Sequence, residues 1–200
     1  NLMKKVLTIL LVLASMGTAC AQQVSSRAKA MRMMTYAKPE YLVKDIKVIA
    51  DTMIVYSLGD FVIYPFGKWE TVEHFITNNQ LQWYREVGYK FFYDSMNVSV
   101  NTMKRLDGSY IDIYRSITTK MVEILAAKIT DPEVFLDNGV HVGMTKEEVM
   151  SVVFKKYPKP YTSEINILKV ISGAGEVAEI YTFKGNRLRH VQVVSKYKYY

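Results

Sequence analysis

The sequence predicts an exported α+β protein built from two tandem units, each a short helix followed by an antiparallel sheet of three or four strands. Three observations carry this prediction. The first 21 residues have the features of a secretory signal, the chain from Tyr41 onward is rich in β-branched and aromatic residues, and two stretches with helical periodicity each precede three strand-like segments. About 180 residues follow the signal, which is enough for one medium domain or two small ones.

Residues 1–21 begin with a lysine pair and continue into a short apolar run. That run is Val6–Met16, and the small residues Ala19 and Ala21 then supply a peptidase site. Because the run has about half of the roughly 20 residues that a membrane-spanning helix needs, it predicts a cleaved signal. We expect the mature protein to be periplasmic or extracellular, with a flexible N-terminus over residues 22–40.

Cys20 leaves the cleavage point open. Cleavage after Ala21 would remove the cysteine and exclude disulfides, thiol catalysis and cysteine-bound zinc. Cleavage before Cys20 would give a lipid-anchored protein, although Gly17 stands where lipoprotein signals usually have leucine. Loss of the lysine pair lowers the formal net charge from +7 to +5. This charge predicts solubility and a weak attraction to acidic partners, and no nucleic-acid binding.

The first predicted unit spans residues 41–130. A helix over Trp69–Asn78 is indicated by apolar residues three, four and seven positions apart, and Asp107 with Gly108 is a typical hairpin turn. Whether residues 41–64 join the first sheet stays open. The predicted strands are Val43–Ala50, Thr52–Ser57, Phe61–Tyr64, Phe91–Val100, Ser109–Ser116 and Met121–Ile129.

The second predicted unit spans residues 131–200 and repeats the order of the first. Its helix, Thr145–Tyr157, opens with a capping box in which Thr145 and Glu148 bond each other's backbone N–H groups. The glycines that precede the two helices, Gly67 and Gly143, are 76 residues apart, which favours a duplication. The predicted strands are Ile165–Ser172, Glu176–Lys184 and Arg187–Ser195.

The run Val142–Val149, followed by the proline-containing loop Tyr157–Pro160 and then strands, resembles the small outer-membrane lipoproteins of the SmpA/OmlA (BamE-like) group. It is also similar to β-lactamase inhibitor protein. The resemblance implies a helical segment followed by an antiparallel sheet, present twice in tandem in the inhibitor protein, and it places Cys20 where the outer-membrane group has its lipid-bearing cysteine. The first unit shares Phe66, Gly67, Val72 and Phe75 with this pattern.

Catalytic, cofactor and metal sites are not predicted. His74, His141 and His190 are scattered without a second ligand at helix or hairpin spacing. Ser172–Gly175 lacks the Lys-Ser/Thr end of a phosphate-binding loop and is better explained as a hairpin. The adjacent acids Glu147 and Glu148 are explained by their place in the first helical turn, where negative charge complements the helix dipole.

Strand alternation predicts a candidate binding surface on the first sheet. Tyrosines mixed with small polar residues are typical of recognition surfaces, because the ring gives contact area at low entropy cost. The alternative is that these rings simply cover a half-exposed sheet, for which aromatic residues have good propensity. The candidate residues are Tyr89, Phe91, Tyr93, Tyr110, Asp112 and Tyr114.

The sequence therefore predicts an envelope or periplasmic protein that binds another protein or peptide and has no catalysis of its own. Two alternatives remain. One is a lipid-anchored outer-membrane assembly factor, in contact with a membrane only through Cys20. The other is a small secreted hydrolase whose site is assembled from residues that sequence spacing cannot connect.

Overall fold

One mixed β-sheet of nine strands forms the body of the chain. The computed structural model describes residues 41–79, 84–91, 97–154, 164–173 and 175–196, all within a single unit, Pro39–Tyr200. In chain order the strands are β1 (Val43–Ile49), β2 (Thr52–Ser57), β3 (Tyr84–Phe91), β4 (Asn97–Lys104), β5 (Tyr110–Arg115), β6 (Val122–Ile129), β7 (Ile167–Ser172), β8 (Val177–Lys184) and β9 (Arg187–Ser195). The helices are a 3-10 turn (Asp60–Val62), α1 (Val72–Asn78) and α2 (Lys146–Val153). Within these described residues, neither α-helix is long and apolar enough to cross a membrane.

The strand order is β1-β2-β7-β8-β9-β6-β5-β4-β3, so the two halves of the chain contribute to one sheet. β2 runs parallel to β7, and every other neighbouring pair is antiparallel. The prediction of two units with separate three- or four-stranded sheets is therefore wrong. A small separate sheet would expose two edges of unpaired N–H and C=O groups, whereas joining β2 to β7 and β6 to β9 pairs them.

The two faces of the sheet are chemically distinct. The covered face carries the helices, and one of its rows pairs Val55, Val170, Glu179 and Val193 in turn. Apolar side chains of this face pack with Phe61, Phe75, Val149 and Met150 of the helical segments. Burial of each such side chain contributes roughly 1.5–3 kcal/mol. The outer face carries a half-buried row of Ile54, Lys169, Ile180, Gln192, Lys128 and Tyr110.

Most predicted elements form, but the helix predicted over Thr145–Tyr157 ends at Val153, because Phe154 is extended, and residues 155–157 of that prediction lie outside the described residues. Two strands of the first half also differ. The segment predicted as a strand over Phe61–Tyr64 contains the 3-10 turn instead, and it packs Phe61 into the core. The strand predicted over Phe91–Val100 is wrong as one element, since Phe91 ends β3 and Val100 lies in β4. Residues 92–96 of that prediction lie outside the described residues.

The two α-helices begin at threonine caps. Thr71 accepts a hydrogen bond from the N–H of His74, so α1 starts after the predicted Trp69. At α2 the predicted capping box is confirmed: the Thr145 hydroxyl accepts from the Glu148 N–H at 3.2 Å, and the Glu148 carboxylate accepts from the Thr145 N–H at 2.7 Å. Two residues earlier, Gly143 has a φ of 95°, a conformation that side-chain-bearing residues rarely adopt.

Candidate functional site

The candidate site lies on the outer face of the β4–β5 hairpin. Lys104 pairs with Tyr110, and Thr102 pairs with Asp112, so four polar side chains form two adjacent rows. We call these four residues the β4–β5 platform. An open depression of about 460 Å³ lies over them and extends to the hairpin turn, where Arg105, Gly108 and Ser109 complete its lining.

Hydrogen bonds hold the polar side chains of the platform in place. The Thr102 hydroxyl donates to Asp112 Oδ1 at 2.6 Å, and Lys104 Nζ donates to Glu86 Oε2 on β3 at 2.6 Å. Both pairs are partly solvated, so they fix geometry more than they add stability. The platform therefore presents a half-buried aromatic ring with a cation opposite it on β4 and a carboxylate two residues along β5, an arrangement that suits recognition of a mixed polar and apolar partner.

The hairpin turn beside the platform is tied to the segment that follows β6. Asp107 accepts hydrogen bonds from the Ser109 hydroxyl at 2.7 Å and from the Thr130 hydroxyl at 2.8 Å. Partial burial raises the pKa of Asp107, but these hydrogen bonds outweigh it and hold the pKa below its ordinary value. Arg105 pairs with Asp131 in the same region, and both side chains are largely buried. Hydrogen bonds and an ion pair therefore fix the hairpin turn at this end of the platform.

A second, smaller recess lies between the 3-10 turn and β6. Tyr64, Thr119, Glu123 and Glu176 contribute its polar lining, and its volume is about 100 Å³. Glu123 accepts hydrogen bonds from the Tyr114 hydroxyl and, at 2.6 Å, from the Thr119 hydroxyl. Burial, then the nearby Glu123 carboxylate, raises the pKa of Tyr64. This volume is smaller than the roughly 300–1,000 Å³ of small-molecule sites.

A third polar cluster lies inside the core. The Tyr41 hydroxyl donates to Glu179 Oε2 at 2.6 Å, the Tyr181 hydroxyl donates to the same oxygen at 2.8 Å, and Asn138 donates to the Tyr41 hydroxyl at 3.2 Å. Burial raises the pKa of Glu179 to about 8, although the tyrosine hydrogen bonds lower it. Glu179 is fully buried, so this cluster cannot touch a ligand without opening of the fold.

Of the predicted surface residues, the structure brings two together. Tyr110 and Asp112 share the outer face of β5, and both are half-buried. Tyr114 belongs to the same strand but is only 7% exposed, packed with Val100 and Leu125 and bonded to Glu123. Its ring is therefore part of the packing and not of an accessible surface.

The remaining predicted residues lie elsewhere. Tyr89 and Phe91 belong to β3, where their backbones pair with Ser99 and Asn97, and β4 separates them from β5. Tyr93 and the possible lipidation site Cys20 lie outside the described residues. The three histidines occupy α1, the segment before α2, and β9, and the described part of the chain contains no cluster of three potential metal ligands.

Thr102 and Lys104 are platform residues that the sequence analysis missed. The predicted strand stopped at Val100, but a polar and apolar alternation continues through Thr102, Met103 and Lys104. Counting outward from a two-residue Asp107-Gly108 turn would have placed Arg105 opposite Tyr110. The turn has three residues instead, because the Arg105 N–H bonds the Ser109 carbonyl, and this shift brings Lys104 opposite Tyr110. The alternation was therefore visible in the sequence, but the cross-strand pairing was not.

Comparisons with known proteins give no relative for this chain. No family model matches it, and neither a curated protein nor a solved structure does. The resemblance of Val142–Val149 to the SmpA/OmlA group therefore stays a prediction.

Proposed function

We propose that this chain is an exported protein that binds another protein or peptide through the β4–β5 platform and has no catalysis of its own. The observation that carries the proposal is the open depression of about 460 Å³ over Tyr110, with Lys104 opposite it on β4 and Asp112 two residues along β5. Tyrosine is among the residues that contribute most to binding at protein interfaces. An open strand surface with fixed polar groups suits an extended segment or another folded surface.

A hydrolase is less well supported by the geometry. Glu123 and Glu176 bring two carboxyl groups to the lining of one recess, but its volume is about 100 Å³. For a substrate the size of a sugar ring to enter this recess, the 3-10 turn or the β5–β6 connection would have to move. The platform requires no such movement, because its depression is already open.

The test compares two tyrosine variants on the outer face. Tyr110→Ala removes the ring from the platform, and Tyr56→Ala removes another half-buried tyrosine from β2, at the other end of the same face. Proteins captured from an envelope extract by the wild type would be purified and titrated against all three chains. We expect Tyr110→Ala to weaken binding by about tenfold or more and Tyr56→Ala to leave it near the wild-type value.

Equal affinity of wild type and Tyr110→Ala for every purified partner would contradict the proposal. Turnover of a captured molecule, unchanged in Tyr110→Ala, would favour the hydrolase. Mass spectrometry of the mature N-terminus tests the export part separately. An acylated Cys20 would identify a lipid-anchored protein, whereas a chain that begins at Gln22 would identify a released one.

A further inference from the structure

β1 is an exposed edge strand with an unusual concentration of apolar side chains. All seven of its residues are exposed, and among the described residues it pairs with β2 alone. Ten large apolar side chains are exposed in the described part of the chain, and five of them lie in β1 or directly before it: Leu42, Val43, Ile46, Val48 and Ile49. A concentration of this kind marks a surface that another chain covers.

The backbone groups available for pairing on this edge follow from the β1–β2 register. Ile49 and Thr52 flank the two-residue turn, so they form a hydrogen-bonded pair, and bonded and non-bonded pairs then alternate along the hairpin. The N–H and C=O groups of Ile46 and Val48 therefore point away from β2. The structure agrees at Ile46, whose N–H donates to the side chain of Asp45 at 2.8 Å and not to a strand.

Two copies of β1 have complementary charges when they are aligned antiparallel with Ile46 at the centre. In a two-fold antiparallel pair centred there, Ile46 faces Ile46 of the second copy, Asp45 faces Lys47, and Lys44 faces Val48. Opposite charges directly across a strand pair stabilise it, and like charges destabilise it. Both Asp45–Lys47 pairs form at once, because the two-fold axis generates the second from the first.

The neighbouring registers are less favourable. A shift that pairs Ile46 with Val48 of the second copy also satisfies the outward backbone groups, but it places Lys47 opposite Lys47. A pair centred on Val48 overlaps fewer residues and leaves Asp45 without Lys47. Lysines on an edge strand discourage unspecific pairing. The register centred on Ile46 avoids this repulsion, because it places Asp45 opposite Lys47.

We propose that β1 pairs with β1 of a second copy of this chain, antiparallel and centred on Ile46, so that the nine-stranded sheet continues across a two-fold axis. The contact lies at the opposite edge of the sheet from β3 and β4. Five strands, β2, β7, β8, β9 and β6, separate β1 from β5. It therefore leaves the β4–β5 platform free. The dimer does not depend on the proposed binding function.

A charge swap tests this register directly in the full 200-residue chain. Asp45→Lys places like charges opposite each other at two symmetric positions, and it should raise the dimer dissociation constant by about tenfold or more. Combining Asp45→Lys with Lys47→Asp restores opposite charges across the axis and should restore the dimer. Glu70→Lys makes the same charge change at an exposed position away from β1 and should behave as wild type.

Sedimentation equilibrium over a wide concentration range gives the dissociation constants, and hydrogen exchange of the Ile46 and Val48 amides reports their pairing. We expect both amides to be more protected at concentrations where the dimer forms than on dilution, with the clearer change at Val48, because the Ile46 N–H already bonds the Asp45 side chain in the single chain. Thermal unfolding verifies that each variant folds.

Three outcomes would overturn the proposal. A dimer unaffected by Asp45→Lys, or one not restored by the double variant, would place the contact elsewhere. A chain that stays monomeric with both amides exchanging freely would show that the edge is unpaired. A monomer with both amides protected at every concentration would show that another segment of the same chain covers β1. Tyr110→Ala should dimerise as wild type does, which separates this result from that of the platform.

Discussion

Glu179 is a carboxyl group surrounded by apolar strand neighbours and two tyrosines. Val170 and Val193 pair with it on either side, and the Tyr41 and Tyr181 hydroxyls both donate to its Oε2. Burial raises its pKa from an ordinary 4.5 to about 8. The protonated form is therefore favoured in the folded chain, because a buried charge without a cationic partner is costly.

The raised pKa predicts that stability falls as the pH rises. The folded pKa of Glu179 exceeds the unfolded one, so its stabilising contribution is complete below about pH 4.5 and is lost as the pH passes 8. Burial lowers the pKa of His190, which acts in the opposite direction, but only below its ordinary value of 6.5. Between pH 6.5 and 8 we expect the free energy of unfolding, measured with urea, to fall with a slope of at most about 1.4 kcal/mol per pH unit, which decreases to about half as the pH reaches the folded pKa.

Two glutamine variants check this assignment. Glu179→Gln is neutral at every pH and should flatten the slope between pH 6.5 and 8. Glu176→Gln makes the same change at an exposed residue three positions earlier and should keep the wild-type slope. A slope that survives Glu179→Gln would mean that another group is responsible.

Single residues show where sequence reasoning succeeds and where it stops. Strand alternation placed Ile111 and Ile113 in the core, and both are buried. It also placed Tyr110 beside Asp112 on the other face. It could not show that Tyr114 is buried, because this depends on Val100 and on Leu125, which lies at a register shift between β5 and β6. The Tyr41–Glu179 contact joins residues 138 positions apart, and no local pattern reports it.

Among the elements, α2 was the most predictable, because its N-terminus is defined by local hydrogen bonds. Replacing the cap, Thr145→Ala, leaves the Glu148 N–H without its acceptor and should lower the free energy of unfolding by about 1 kcal/mol. Ser151→Ala is the matched control on the same helix. Its hydroxyl bonds the Glu148 carbonyl, which the helix does not require, so stability should hardly change.

Urea unfolding of the two variants measures this difference. If Thr145→Ala and Ser151→Ala were equally stable, the capping box would be incidental to α2. Strands were less predictable than this helix, since their ends depend on partners. The 3-10 turn at Asp60–Val62 has strand-like residues, but Phe61 packs edge-on against the ring of Tyr41, and this contact outweighs strand propensity.

For the whole molecule, the repeated order of a helix and three strands indicated two units, yet the halves share one sheet. The reason lies in two long-range pairings. β2 joins β7 over six residue pairs, and β6 joins β9 over four. Periodicity reports which residues face a core but not which strand lies beside which. The number and type of most elements were therefore predictable from the sequence, and the pairing between the halves was not.

These two pairings predict that the halves do not fold separately. A fragment of residues 131–200 lacks β2 and β6, so the outer edges of β7 and β9 lose their partners, and a fragment of residues 41–130 leaves the β1–β2 hairpin without β7. We expect neither fragment to show a cooperative thermal transition, whereas the full chain should unfold in a single transition with equal calorimetric and van't Hoff enthalpies. Mixing the two fragments should restore part of the transition, because the missing edges are then supplied. Cooperative unfolding of either fragment alone would show that the shared sheet is not required for the stability of that half.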